Sequence, residues 1–259
     1  MSNKDYWEIR GEKSYVYKGE LFYTISPVPY YYKRRKILIE YLSKEMQFPK
    51  SVYDFGCGDG WYLNYFSKLF PDIIFSGFDI SESFIRQARL VLPDVVSLYY
   101  GISDEKNQNK YDLVYSIGVF AHIPDSEILK IFNNIKTRLT STGKLLIFEQ
   151  TSGGKSKVEG ETYIRRLASE YVQIANDAGL ILEKRFSVDY KIHRYFERYV
   201  AKKIYKLFKG NNQTEKRINA NKNILFRLLS SFACLLSIKP IKKEYKNYWG
   251  NTFFVFKKA

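Results

Sequence analysis

Ser51-Val52-Tyr53-Asp54-Phe55-Gly56-Cys57-Gly58-Asp59-Gly60-Trp61 decides how the rest of the chain is read. Five residues of strand character run into three alternate glycines, and an amphipathic helix is expected over Trp61–Leu69. Glycines at such a junction let the backbone turn tightly and approach a ligand where a Cβ would collide. Their spacing is G-x-G-x-G. A dinucleotide fingerprint requires G-x-G-x-x-G, and its last position is Trp61 here. Asp54, just ahead of the loop, suits a ligand with cationic groups better than a diphosphate. A methyl donor with an ammonium and a sulfonium is such a ligand; a purely structural turn is the alternative.

Outward from the loop, the second strand Ile73–Asp79 ends on a carboxylate. Asp79 stands where an acid can accept hydrogen bonds from both ribose hydroxyls of a nucleoside ligand. It also precedes a helix and could cap it, although Ser81 or Ser83 can do so instead. Further strands are expected at Val95–Tyr100, Leu113–Ile117 and Lys144–Glu149, with helices at Ser83–Leu92, Ser126–Leu139 and Glu161–Ala178. Near-continuous apolar strands alternating with helices imply a doubly wound α/β sheet, largely parallel and covered on both faces. Ligands of such sheets bind beyond the carboxyl ends of the strands.

The flanks differ from this core. Residues 1–30 are aromatic and polar, and Ser26-Pro27-Val28-Pro29 is expected to break any regular element before a helix from about Tyr31 to Lys44. The section from Tyr15 to Tyr32 is placed either as a cap that stacks on a sugar ring or as ordinary core packing. After Gly179 come a strand over Leu180–Lys191, a basic and largely helical stretch, and a last strand over Asn251–Lys258. The domains are therefore expected as 1–45 (aromatic cap and helix), 46–192 with 249–259 (core), and 193–248 (basic insertion).

Charge follows the same division. The chain has 42 Lys and Arg against 27 Asp and Glu, a net +15. Between Lys184 and Lys246 there are 17 basic residues and four acids, so that segment holds almost all of the excess. Partners drawn by charge should meet it. Cys57 and Cys234 are the two cysteines, and no Cys/His cluster has metal-ligand spacing, so no metal is expected. Residues Met1–Trp7 lack the apolar run of a signal peptide, and no run of 18 uncharged apolar residues occurs. A cytoplasmic location is expected.

These residues resemble the class I S-adenosylmethionine-dependent methyltransferases, especially their small-molecule branch. The resemblance rests on Val52–Gly60, Gly77–Ser81, Tyr111–Ser116, His122–Asp125 and Leu139–Phe148, and covers about Lys50 to Lys184. It implies S-adenosylmethionine as cofactor and a Rossmann-like sheet of seven strands with the last one antiparallel. It further implies that Asp54, Gly56 and Gly58 hold the methionine portion, within a loop that includes Cys57 and Gly60. Asp79 is placed at the ribose, Ile80 against the adenine, and Ser116, Ile117 and Gly118 along the cofactor's other side. The family's acid near the adenine amino group, shortly after a glycine, is missing after Gly101, so that contact is expected from Asp104 or from backbone groups instead.

For the acceptor, the sequence offers three candidate bases. His122 can take a proton from a hydroxyl near neutral pH, or simply pack locally. His193 lies in Tyr190–Phe196 and serves either the acceptor face or an exposed helix. Glu149 ends the fifth strand. The expected acceptor is a hydroxyl or phosphate oxygen of a small molecule, a surface glycan or its lipid-linked precursor. RNA methylation through the basic segment, or a non-catalytic subunit, is the alternative. Asn223–Ile238 with Lys239, Lys242, Lys243 and Lys246 is too short to span a bilayer. It fits an interfacial helix on an anionic membrane, such as the inner face of the plasma membrane, or a helix packed on protein.

Overall fold

The computed structural model describes residues 2–16, 28–101, 108–159, 162–189, 195–210, 216, 220, 223–236, 241–243 and 250–259. Two compact units emerge from its contacts. Met1–Glu12, Glu45–Val188 and Lys243–Ala259 form the first, and Lys13–Lys44 with Asp189–Lys242 form the second.

The first unit begins with helix α1 (Asn3–Val16), which continues past the division between the units. Its core elements are β1 (Ser51–Phe55), α3 (Trp61–Leu69), β2 (Ile74–Asp79), α4 (Glu82–Val91), β3 (Ser97–Tyr100) and β4 (Tyr111–Ile117). After them come α5 (Asp125–Arg138), β5 (Leu139–Thr151), the hairpin β6 (Lys157–Glu159) and β7 (Tyr163–Arg165), α6 (Ala168–Asp177), β8 (Leu180–Asp189) and β10 (Gly250–Lys258). Seven of its strands form one sheet in the order β3-β2-β1-β4-β5-β10-β8. β1 to β5 run parallel, and β10 pairs antiparallel with both β5 and β8. This is the expected Rossmann-like sheet with an antiparallel last strand.

The strands owe their near-continuous apolar character to burial on both faces. Tyr53, Val114, Leu145, Ile147 and Phe254 pack with Ile128, Phe132 and Ile135 of α5 and with Ala168, Tyr171 and Ala175 of α6. On α3, Leu63 and Phe66 are fully buried, and the Phe66 ring meets that of Tyr115 edge-on at 6.4 Å.

Several expectations about elements need correction. α1 lies in the aromatic and polar residues 1–30, for which the sequence reading names no element. Its residues mix aromatic and charged types without a clean apolar stripe, and tertiary contacts hold the helix instead. Pro29 does not break the chain: the helix α2 (Val28–Glu45) starts one residue before it. In the first turn a proline removes no hydrogen bond, and its φ already suits a helix. Glu161–Ala178 is not one helix, because the β6–β7 hairpin precedes α6. β5 extends well beyond Lys144–Glu149, since β10 pairs with it from Lys144 to Thr151.

The second unit contains most of α2, a π-helical turn Phe196–Ala201, the short α7 (Lys202–Tyr205) and α8 (Ile224–Leu236). Phe196, Ala201, Tyr205, Ala220, Phe226 and Ala233 make its own apolar cluster. The short strand β9 (Ile241–Lys243) straddles the division.

Candidate active site

The glycine loop leaves β1 with all three glycines at positive φ: Gly56 at 85°, Gly58 at 56° and Gly60 at 76°. Two of them are forced by packing as well. A Cβ on Gly56 would come within 2.2 Å of Val119 Cγ2, and one on Gly60 within 2.9 Å of Leu92 Cδ1. Gly58 is different, because a Cβ there would meet nothing within 4 Å. The middle glycine therefore turns its open side outward. Cys57 tucks beneath, with its Sγ 3.0 Å from where a Cβ on Gly77 would stand, and burial pushes its thiol pKa up.

Adjacent strands tie the loop down. The Gly56 and Cys57 N–H groups donate to the Phe78 carbonyl at 2.7 and 2.8 Å. Asp79 Oδ2 accepts from the Gly58 N–H and Oδ1 from the Ser81 N–H, each at 2.9 Å. Capping of α4 falls to Ser81, whose Oγ accepts from the Phe84 N–H at 3.3 Å. Burial pushes Asp79 up to about 6 despite these two N–H donors, with Glu8 and Asp59 adding to the rise. Asp54 is buried on β1 and is pushed up to about 8, first by burial. The Tyr115 hydroxyl opposes that rise and the Asp79 charge adds to it. Two acids whose ionisation is held back by burial thus stand side by side at the carboxyl end of the sheet.

The opposite wall follows β4. Ser116 Oγ donates to the Phe55 carbonyl at 2.8 Å, and the Gly118 N–H donates to the Phe148 carbonyl at 2.9 Å, with Gly118 φ at 71°. A 3-10 turn, Phe120–His122, comes next. Glu149, also buried, accepts the Phe120 N–H through Oε1 at 2.7 Å. Arg166, which no local sequence pattern singles out, braces the same turn. Its NH1 donates to the Phe120 carbonyl at 2.8 Å and its NH2 to the Ile123 carbonyl at 2.6 Å, while Nε and NH2 both reach Asp125 Oδ1.

His122 sits within aromatic company. Trp7 meets its ring edge-on at 4.7 Å and Tyr163 at 5.1 Å, and its Nδ1 is 3.5 Å from Thr162 Oγ1. Burial pushes its pKa down to about 4, and the Arg10 charge adds to the fall. The imidazole is thus neutral at pH 7. Two guanidinium groups lie nearby: Arg10 over Trp7 at 5.3 Å and Arg165 over Tyr163 at 5.8 Å.

α1 joins the two walls. At one end Asn3 Nδ2 donates to the His122 carbonyl at 2.8 Å. Further along, Glu8 Oε1 accepts from the Ser83 N–H at 3.0 Å and from the Ser83 hydroxyl, and Gln87 Nε2 donates to the Gly11 carbonyl at 2.7 Å. Gly11 is needed there, because a Cβ would lie 2.8 Å from that of Ser83. These contacts come from Asn3, Glu8 and Gly11, whereas the side chains of the tyrosine-rich section Tyr15–Tyr32, expected as a cap, lie outside the described ones. These contacts join residues some 75 to 119 positions apart, so no local pattern signals them.

Asp54, Gly56, Cys57, Gly58, Gly60, Asp79, Ile80, Ser116, Ile117 and Gly118 are brought together at the carboxyl ends of β1, β2 and β4. Glu149 is engaged by the Phe120 N–H of the turn that carries His122. His193 and Asp104 lie outside the described residues. A cleft of about 450 Å³ lined by Phe48, Lys50, Asp112 and Lys144 opens at the other end of the sheet, away from these groups.

Residues 53–145 match a methyltransferase domain family. Malonyl-(acyl-carrier protein) O-methyltransferase 1 of Ilyobacter polytropus is 30% identical over 112 residues, 42% of this chain and 40% of that protein. Methyltransferase 235L of Invertebrate iridescent virus 6 is 34% identical over 98 residues, 38% of this chain and 36% of that protein. The chain matches about two fifths of the length of these curated relatives. Among solved structures, the O-methyltransferase of a trans-AT PKS multienzyme of Brevibacillus brevis, in complex with S-adenosyl-L-homocysteine, shares the fold. The TM-score is 0.56 at 19% identity, over 82% of this chain and 67% of that one. Residues 53–145, with their glycine loop, thus form a methyltransferase domain within a sheet of Rossmann-like strand order.

Proposed function

We propose that the chain transfers the methyl group of S-adenosylmethionine to a small-molecule acceptor. We further propose that the acceptor atom is an oxygen, of a hydroxyl or a phosphate, on a glycan or its lipid-linked precursor. The observation that carries the donor assignment is the Gly58–Asp79 junction. The open side of Gly58 admits close backbone approach, and the Asp79 carboxylate keeps lone pairs for the ribose hydroxyls. Asp54 answers the donor's positive charge, which would offset the burial that holds its ionisation back. Gly56, Cys57 and Gly60 shape the loop, Ile80 faces the adenine, and Ser116, Ile117 and Gly118 border the other side.

The donor supplies an activated methyl carbon. The acceptor oxygen attacks it in line as the carbon–sulfur bond breaks, and the electron pair leaves on sulfur to give S-adenosylhomocysteine. Positioning supplies most of the acceleration in such a displacement. A hydroxyl acceptor also loses a proton, and neutral His122 receives it. With a pKa near 4 it is a weak base, which suits a phosphate acceptor needing no proton removal. Arg10 and Arg165 favour an acceptor with negative charge in the same region. Glu149 acts by holding the Phe120–His122 turn.

The test is incubation with methyl-labelled S-adenosylmethionine and fractionated cell extract. Label is expected in a small-molecule or lipid-linked glycan fraction. Label confined to RNA or to protein would overturn the acceptor assignment, and no transfer to any fraction would overturn the activity.

A further inference from the structure

Helix α8 of the second unit has two unlike faces. Phe226 and Ala233 belong to the unit's own apolar cluster, and Ser230 is buried on the same side of the helix. Ile224, Leu225, Leu228, Leu229, Phe232, Leu235 and Leu236 remain exposed, with Leu228 at 62% and Phe232 at 61%. At 100° per residue these seven fall within an arc of about 140°, and the three buried residues occupy the adjoining arc. No surface of large side chains this concentrated is needed to fold the unit, and one this apolar marks a contact site.

Charge identifies the occupant. Lys202, Lys203, Lys206 and Lys209 belong to the same unit, and Arg227 lies on α8 just outside the apolar arc and is exposed. From Asp189 to Lys242 the unit carries 13 basic residues against three acids. An apolar face set in such a field matches a surface that is apolar beneath and anionic above. α8 has 13 residues and spans about 20 Å, and no described helix is long and apolar enough to cross a membrane. Its geometry is that of a helix lying in an interface.

We propose that the exposed face of α8 docks the protein on an anionic lipid surface, with Leu225, Leu228, Leu229, Phe232 and Leu235 entering the acyl boundary and the surrounding lysines meeting the headgroups. This stands independently of methyl transfer, although it would bring a lipid-linked acceptor to the same surface.

The experiment is flotation of the full chain with phosphatidylglycerol/phosphatidylcholine vesicles and with pure phosphatidylcholine vesicles. Binding is expected with the first, reduced by high salt, and absent or weak with the second. The Leu228→Ser/Phe232→Ser double variant is expected to lower partitioning by about tenfold or more while its thermal melting stays close to that of the parent. Phe232→Trp should show a blue-shifted emission when anionic vesicles are added. Asp79→Ala should float as the parent does, so that failure of donor binding and failure of docking are read separately. Equal flotation of the double variant would overturn the proposal. So would a parent that ignores anionic vesicles but forms a dimer lost in the double variant, which would assign the face to a second copy of the chain.

Discussion

Replacing Gly58 and Gly60 by alanine, one at a time, separates a glycine kept for a ligand from one kept for the fold. Both have positive φ, so each alanine costs roughly 1 kcal/mol or slightly more in the left-handed region. At Gly58 nothing else is added, because the new methyl meets no atom within 4 Å. A loss of about 2–4 °C in Tm is expected for a chain of this size. At Gly60 the methyl would press on Leu92 Cδ1 at 2.9 Å and Ala88 Cβ at 3.0 Å. Overpacking adds about 1–3 kcal/mol, so roughly 3 kcal/mol in all and about 6–12 °C. Donor binding should rank in the opposite order. If S-adenosylmethionine approaches the backbone at Gly58, an overlapping methyl costs about 1–3 kcal/mol there, or roughly a 5- to 150-fold rise in Kd. Scanning calorimetry and titration calorimetry with S-adenosylhomocysteine measure both quantities. The reasoning fails if Gly58→Ala binds as tightly as the parent, or if it is destabilised as much as Gly60→Ala.

Other consequences follow from the buried charges and the turn after β4. Asp79 titrates near 6 in the fold and near 3.8 when unfolded. The native state binds more protons between those values, so this group's contribution to stability falls as pH rises from about 4 to 6. In Asp79→Asn that part of the slope of Tm against pH should vanish. His122 behaves oppositely. Its folded pKa near 4 lies below the ordinary 6.5, so its contribution is lost as pH falls from 6.5 to 4, and His122→Gln should flatten that acid limb. Binding of a cationic donor should favour ionised Asp54, so the Kd for S-adenosylmethionine should fall as pH rises towards about 8, with proton release measurable in buffers of different ionisation enthalpy. Arg166→Met leaves the Phe120 and Ile123 carbonyls without these donors, and unfolding should become easier by roughly 3 kcal/mol in urea titrations.

The parts of the molecule that could be read from the sequence are those with local causes. Asp54, the glycine loop and Asp79 lie on short apolar strands of period and length that only a covered parallel sheet explains. The antiparallel return of Thr252–Phe256 was implied by family resemblance and is seen in β10. What escaped depends on distant partners. Asn3, Trp7 and Glu8 have meaning only against His122 and Ser83, and Arg166 only against the carbonyls of a turn some forty residues earlier. The hairpin β6–β7 was mistaken for the start of a helix because its few residues show no clear alternation. The Asp79 carboxylate, proposed for the ribose, ties the glycine loop to the β2 turn in the structure, a role that only its distant partner Gly58 reveals.

Thermal melting with S-adenosylhomocysteine tests the donor site most directly. At a ligand concentration about 100 times Kd, binding should stabilise the parent by about 2.7 kcal/mol and raise its Tm by roughly 5–10 °C. Asp79→Ala should lose most of that rise, and a dinucleotide should produce none in either protein. A parent that melts unchanged with S-adenosylhomocysteine, or an Asp79→Ala variant that gains as much as the parent, would contradict the account.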